Sequence, residues 1–90
     1  MSAYTLRFTE QAKEDIRLHK KAGNRTVVNK IVLFLDELAI HPFTGTGKPE
    51  ALKHSLTGLW SRRINREHRL IYEVTNDDIV FIISAKGHYE

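Results

Sequence analysis

Leu59-Trp60-Ser61-Arg62-Arg63-Ile64-Asn65-Arg66-Glu67-His68-Arg69-Leu70-Ile71-Tyr72-Glu73-Val74-Thr75 holds two runs of alternating character, and their pairing decides the fold. The pattern predicts strands over Leu59–Asn65 and Arg69–Thr75. Trp60, Arg62 and Ile64 share one face of the first, with Ser61 and Arg63 opposite. Leu70, Tyr72 and Val74 share a face of the second, with Arg69, Ile71 and Glu73 opposite. If Ile64 and Leu70 both face a core, Arg63 and Arg69 must both face away from it. That requires an odd-length connection such as Arg66-Glu67-His68, because directly paired residues lie on one side of a ladder. The bare face is then expected to carry two arginines over an apolar floor. Arg62, on the core side, is expected to snorkel at the rim of the sheet. Trp60 is expected in the core rather than as a stacking platform, whereas Phe43 fits either role.

Working outward, Ile79-Val80-Phe81-Ile82-Ile83-Ser84 is apolar on both faces and reads as a central strand, reached through an Asn76-Asp77-Asp78 turn. Upstream, Tyr4, Leu6 and Phe8 alternate as in a half-buried strand. Thr9 offers a cap to a helix from Glu10 to about Lys21, with a thin stripe of Ala12, Ile16 and His19. Ala22-Gly23-Asn24 breaks it. A second helix is predicted from Arg25 to Ala39 with Val28, Ile31, Leu35 and Leu38 at 3-to-4 spacing, ended by His41-Pro42. Phe43–Lys53 reads as a loop punctuated by Gly45, Gly47 and Pro49. The order of strand, two helices and three strands predicts one α+β domain over the 90 residues, an antiparallel sheet with helices on one face.

The absence of cysteine excludes a disulfide framework, a thiol nucleophile and thiolate zinc sites. No signal-peptide pattern or membrane-length apolar run occurs, so a soluble, cytoplasmic protein without membrane association is expected. The chain is formally +3, yet Lys48, Lys53, Arg62, Arg63, Arg66 and Arg69 face only Glu50 and Glu67 in their stretch, a local surplus of four. Basicity concentrated in this way suits a polyanion, most simply RNA or DNA phosphates. Gly45-Thr46-Gly47-Lys48 lacks the spacer and the following Ser/Thr of a nucleotide-binding loop, so its glycines are expected to serve the turn. His19, His41, His54, His68 and His88 show no metal-ligand spacing, and Ser55, Ser61 and Ser84 sit in no nucleophile elbow. Neither a metal nor another cofactor is expected.

What remains is chemistry that uses the nucleophile of RNA itself. A 2′-hydroxyl attacks the adjacent phosphate when a base takes its proton, a cation stabilises the phosphorane and an acid protonates the leaving oxygen. Glu50, Arg63 with Arg69, and His88 are residue types suited to those roles. By spacing alone, Glu50 reads equally as a solvated ion-pair partner and His88-Tyr89 as a chain end.

Pro42-Phe43-Thr44-Gly45, Gly47-Lys48-Pro49-Glu50, Leu52-Lys53-His54, Gly58, Trp60-Ser61-Arg62-Arg63-Ile64, Glu67-His68-Arg69-Leu70, Tyr72 and the terminal His88-Tyr89 together resemble the Txe/YoeB family of toxins, within the RelE-like group. The resemblance implies a small α+β domain that cuts messenger RNA in the ribosomal A site and is silenced by a cognate antitoxin of the YefM/Axe kind. It also admits a homodimer. It implies Glu50 as general base, Arg69 as the stabilising cation, His88 as general acid and Tyr89 as a substrate contact. Lys53 and Arg63 would hold the RNA backbone, and Lys48 and Arg66 belong to the same basic stretch. The expected products are a 5′-hydroxyl end and a 2′,3′-cyclic phosphate or its opened 3′-phosphate. Three departures stand out: Ala51 replaces the usual proline, Glu90 follows Tyr89, and Ala85-Lys86-Gly87 is an atypical tail in which Gly87 is expected to let the chain end swing. A second reading follows from these departures. It is a catalytically weakened module of the same fold that binds an antitoxin or nucleic acid and acts in transcriptional autoregulation.

Overall fold

Thr9 joins the first two elements of the computed structural model, which describes residues 3–53 and 58–87. It ends strand β1 (Thr5–Phe8) and caps helix α1 (Glu10–Lys21). Its hydroxyl accepts from the Ala12 amide at 3.1 Å and donates to the Ile83 carbonyl at 2.7 Å, so one side chain ties helix to sheet. At the far end of α1, Gly23 takes a φ of 73°. Its amide bonds to the Lys20 carbonyl and that of Asn24 to the His19 carbonyl, both at 3.1 Å, which closes the helix and turns the chain.

Helix α2 (Arg25–Leu38) buries Val27, Ile31, Phe34 and Leu38. The expected stripe lay one residue over at two of its four positions: Val28 and Leu35 are only half-buried. Both sets satisfy 3-to-4 spacing, and tertiary packing chooses between them. Among the described residues no helix is long and apolar enough to cross a membrane.

Strands β2 (Glu50–Ala51), β3 (Leu59–Arg63), β4 (Arg69–Val74) and β5 (Ile79–Ser84) follow. The sheet runs β1-β5-β4-β3-β2, with β5 between β1 and β4 as its apolar composition predicts. Two features differ from expectation. β1 lies parallel to β5, so the sheet is mixed; the two helices form the crossover that such a pairing needs. The loop before β3 also contributes a two-residue edge strand, with Glu50 opposite Ser61 and Ala51 opposite Trp60.

Leu70, Tyr72, Val80 and Ile82 face the helices and are fully buried, joined by Ile64 from the β3–β4 turn. Arg62 shares that face and does not snorkel: it has no solvent exposure. Its guanidinium pairs with Glu37 of α2 and donates to the carbonyls of Thr44 (2.8 Å), His41 (3.1 Å) and Thr46 (3.3 Å). Its Nε donates to the Tyr72 hydroxyl at 3.3 Å, which donates in turn to the Pro42 carbonyl at 2.7 Å. A buried charge is tolerable when it is paired and its donors are used, and here one guanidinium staples the 41–46 loop to the sheet and to α2. The loop glycines permit this approach. A Cβ on Gly47 would stand 2.5 Å from the Phe34 ring, and Gly47 has a φ of 83°.

Candidate active site and basic surface

Directly paired residues of a ladder share a side, and the register builds the site from that rule. Glu50 pairs with Ser61, Ser61 with Ile71, and Ile71 with Ser84, which makes one row across four strands. Arg63 pairs with Arg69, the adjacent row of the same helix-free face. The arginine placement expected from alternation is therefore what the sheet shows. Arg63 is exposed and Arg69 half-buried. The expected apolar floor is Ile71, at 1% exposure, beside Ser61 at 0%.

Glu50, Leu52, Ser61, Arg69 and Ile71 line one pocket of about 140 Å³. A carboxylate and a guanidinium facing one small space can take a proton from, and stabilise negative charge on, a group that enters it. Ser61 is a residue that sequence reasoning passed over here. Its hydroxyl is buried and has no hydrogen-bond partner among the described residues. An unmatched hydroxyl costs about 1–3 kcal/mol, so the pocket carries a polar group its own fold does not use. Its sequence signal was the alternation of β3, which sets it on the same open face as Arg63.

The basic residues divide. Lys48, Arg63 and Arg66 line a second cavity of about 580 Å³ together with Thr26 and Lys30 of α2, and no carboxylate joins that lining. Lys30 lies outside the basic stretch in sequence and was not singled out there. Lys48 holds a φ of 52°, a conformation a β-carbon disfavours. Lys53 is exposed just beyond β2 and lines neither cavity. Arg62, counted in the sequence patch, is neutralised inside the protein by Glu37. Among the described residues, no ion pair engages Lys48, Lys53, Arg63, Arg66 or Arg69. Trp60 is half-buried against the core, and Phe43, 47% exposed, covers it with ring centroids 5.1 Å apart.

His88 and Tyr89 lie outside the described residues, but the chain that leads to them is held at several points. The Ala85 amide donates to Asp15 Oδ2 at 2.9 Å, and His19 Nε2 meets the Ala85 carbonyl at 2.9 Å. Gln11 donates to the other oxygen of Asp15 at 2.7 Å. The Gly87 amide donates to His68 Nδ1, and its carbonyl accepts from the Arg69 amide, each at 2.9 Å. Gly87 itself is thus pinned on both sides, and the chain end expected to swing beyond it lies outside the described residues. The Gly87 φ of 73° lies in the left-handed region that glycine adopts without steric cost. Asp15 and His19 retain only 3% and 2% exposure.

The profile of the YoeB-like toxins of bacterial type II toxin–antitoxin systems matches residues 8–89. Toxin YoeB of Synechocystis is 43% identical over 83 residues, 92% of this chain and 94% of that protein. The YoeB dimer of Staphylococcus aureus superposes with a TM-score of 0.84 at 39% identity, covering 98% of this chain and 100% of that one. YoeB in the S. aureus YoeB–YefM complex gives 0.81 at 41% identity, covering 96% and 98%. With a match to the family over nearly its whole length and a relative at 43% identity, this chain belongs to the YoeB-like toxins of bacterial type II toxin–antitoxin systems.

Proposed function

We propose that the toxin is a ribosome-dependent endoribonuclease that inhibits translation by cutting messenger RNA in the cytoplasm. The observation that carries the proposal is the convergence of Glu50 and Arg69 on one small pocket of the helix-free face. Glu50 takes the proton of a ribose 2′-hydroxyl, and the freed oxygen attacks the adjacent phosphorus. Arg69 stabilises the charge that develops on the phosphate oxygens. As the bond to the 5′-oxygen breaks, His88 supplies that oxygen with a proton, and Tyr89 contacts the substrate. One fragment ends in a 5′-hydroxyl and the other in a 2′,3′-cyclic phosphate, which water can open to a 3′-phosphate. The proton balance closes between Glu50 and His88. Lys48, Lys53, Arg63 and Arg66 hold the flanking backbone by charge.

The partner is an antitoxin of the YefM kind, since relatives of similar length are solved as YoeB–YefM complexes. An acidic segment laid over the basic face would neutralise it and exclude RNA. The S. aureus relative solved as a dimer supports self-association of this chain as well.

The test is cleavage of a defined message on programmed ribosomes, with both new ends mapped. The wild type should cut and leave the ends named above. Glu50→Gln should lose roughly 10²- to 10⁴-fold in rate, the usual contribution of a general base. Ribosome binding without cleavage by the wild type would instead favour the binding module that acts in autoregulation.

A further inference from the structure

His68 and Arg69 are consecutive, and both hold Gly87: the imidazole through the Gly87 amide, the Arg69 amide through the Gly87 carbonyl. A backbone N–H can only donate, so Nδ1 of His68 must be an unprotonated acceptor and its ring hydrogen must sit on Nε2. The ring is braced edge-on by His19 at a centroid distance of 4.7 Å and an interplanar angle of 72°. His19 in turn donates to the Ala85 carbonyl, and Asp15 accepts from the Ala85 amide. Three side chains distant in sequence thereby fix both ends of Ala85–Gly87, the last described stretch before His88 and Tyr89.

We propose that His68 is a positioning residue: as a neutral acceptor it holds Gly87 beside Arg69 and so fixes the point from which the chain continues to His88, and a proton on Nδ1 releases that hold. The functional consequence rests on the ribonuclease reading, which gives His88 and Tyr89 their place at the substrate. A protonated imidazole would present an N–H to the N–H of Gly87, turning an attraction into a repulsion. The groups that face His68 are His19 and Asp15 from α1, Glu67 from its own turn and Lys86 from the tail. Burial, reinforced by His19 and Lys86 against Glu67 and Asp15, holds the imidazole below its ordinary value of 6.5, so the neutral form dominates near neutrality. The ring keeps 13% side-chain exposure and borders a cavity of about 900 Å³ shared with Asp15 and Gly87, so water can deliver the proton.

The full chain labelled with ¹⁵N tests this directly. Between about pH 8 and about pH 5, the range in which imidazoles titrate, the Gly87 amide should shift with the midpoint of the His68 ring. His68→Asn keeps an acceptor oxygen near Nδ1 but cannot be protonated there, so its Gly87 amide should not follow that titration. His68→Phe keeps a ring without an acceptor, and its amide should sit at the released position throughout. On ribosomes, His68→Phe should lose about tenfold in cleavage, the worth of one such hydrogen bond, while His68→Asn retains most of it. Wild-type cleavage should fall in acid more steeply than that of His68→Asn. A Gly87 amide indifferent to His68 titration would overturn the proposal, as would a folded His68→Phe that cleaves like the wild type. A wild type that cleaves nothing overturns the ribonuclease reading, and the amide titration still decides the hold on Gly87.

Discussion

Arg62 shows how much one residue can carry. Its partners are Glu37, the Tyr72 hydroxyl and three loop carbonyls, and removal would leave the Glu37 carboxylate without its cation in a largely buried place. Arg62→Met should therefore destabilise the protein by about 3–5 kcal/mol, read as a shift in the midpoint of urea unfolding. Adding Glu37→Gln should recover part of that loss, and a double variant no better than the single one would contradict the account. Burial opposes ionisation of Glu37, but the Thr46 hydroxyl and amide and the Arg62 guanidinium outweigh it and hold the carboxyl below its ordinary 4.5. In the acid range the unfolded chain then binds more protons than the folded one. This share of stability is whole above about pH 4.5 and is lost as the pH falls through the lower folded value. Unfolding midpoints measured at falling pH should show that limb, flattened but not abolished in Arg62→Met because Thr46 remains. Alternation placed Arg62 on the core side, and its length suggested a rim position. The decisive partners are carbonyls between residues 41 and 46, which no periodicity reveals. An inward arginine matched by Glu37 beside the α2 stripe was the available clue.

At the scale of elements, local signals carried well and long-range ones did not. The Thr9 cap, the Gly23 stop and the continuous apolar run of β5 are each written within a few neighbouring residues, and their bounds match the sequence reading. The parallel pairing of β1 with β5 spans more than 70 residues, and β2 is too short for any period to register. β2 matters because it delivers Glu50 to the pocket. The Leu52 amide bonds to the Leu59 carbonyl at 2.9 Å, so by the alternation of antiparallel pairs Ala51 opposite Trp60 is a non-bonded pair. The Ala51 amide then points away from β3 at the open edge, where a proline costs no ladder bond. Ala51→Pro should raise stability by about 0.4–1 kcal/mol through the unfolded chain and leave cleavage at or above the wild-type rate. A drop in the unfolding midpoint would show that the amide is engaged after all.

The whole molecule is a thin body, 35 × 34 × 24 Å, one sheet with one helical layer, and among the described residues no helix covers the other sheet face. Charge on that body differs from charge along the chain. The basic stretch overcounts by including Arg62, which is spent on Glu37, and undercounts by omitting Lys30, which α2 brings to Lys48, Arg63 and Arg66. If RNA follows the cavity these four line, Lys30 contributes to binding despite lying well before the sequence patch begins. A cation that no longer meets its phosphate should lower the slope of log affinity against log salt by about 0.7–0.9. Lys30→Glu should therefore weaken ribosome binding at low salt and flatten that slope by about the worth of one phosphate. Lys13→Glu makes the same change of charge on α1, where Lys13 is exposed and paired with Glu10, so it controls for net charge alone. Equal effects from the two variants would mean that the molecule is read as a diffuse cation. A weakening confined to Lys30→Glu would mean that the RNA path leaves the Glu50–Arg69 pocket past Arg63 and runs toward the start of α2.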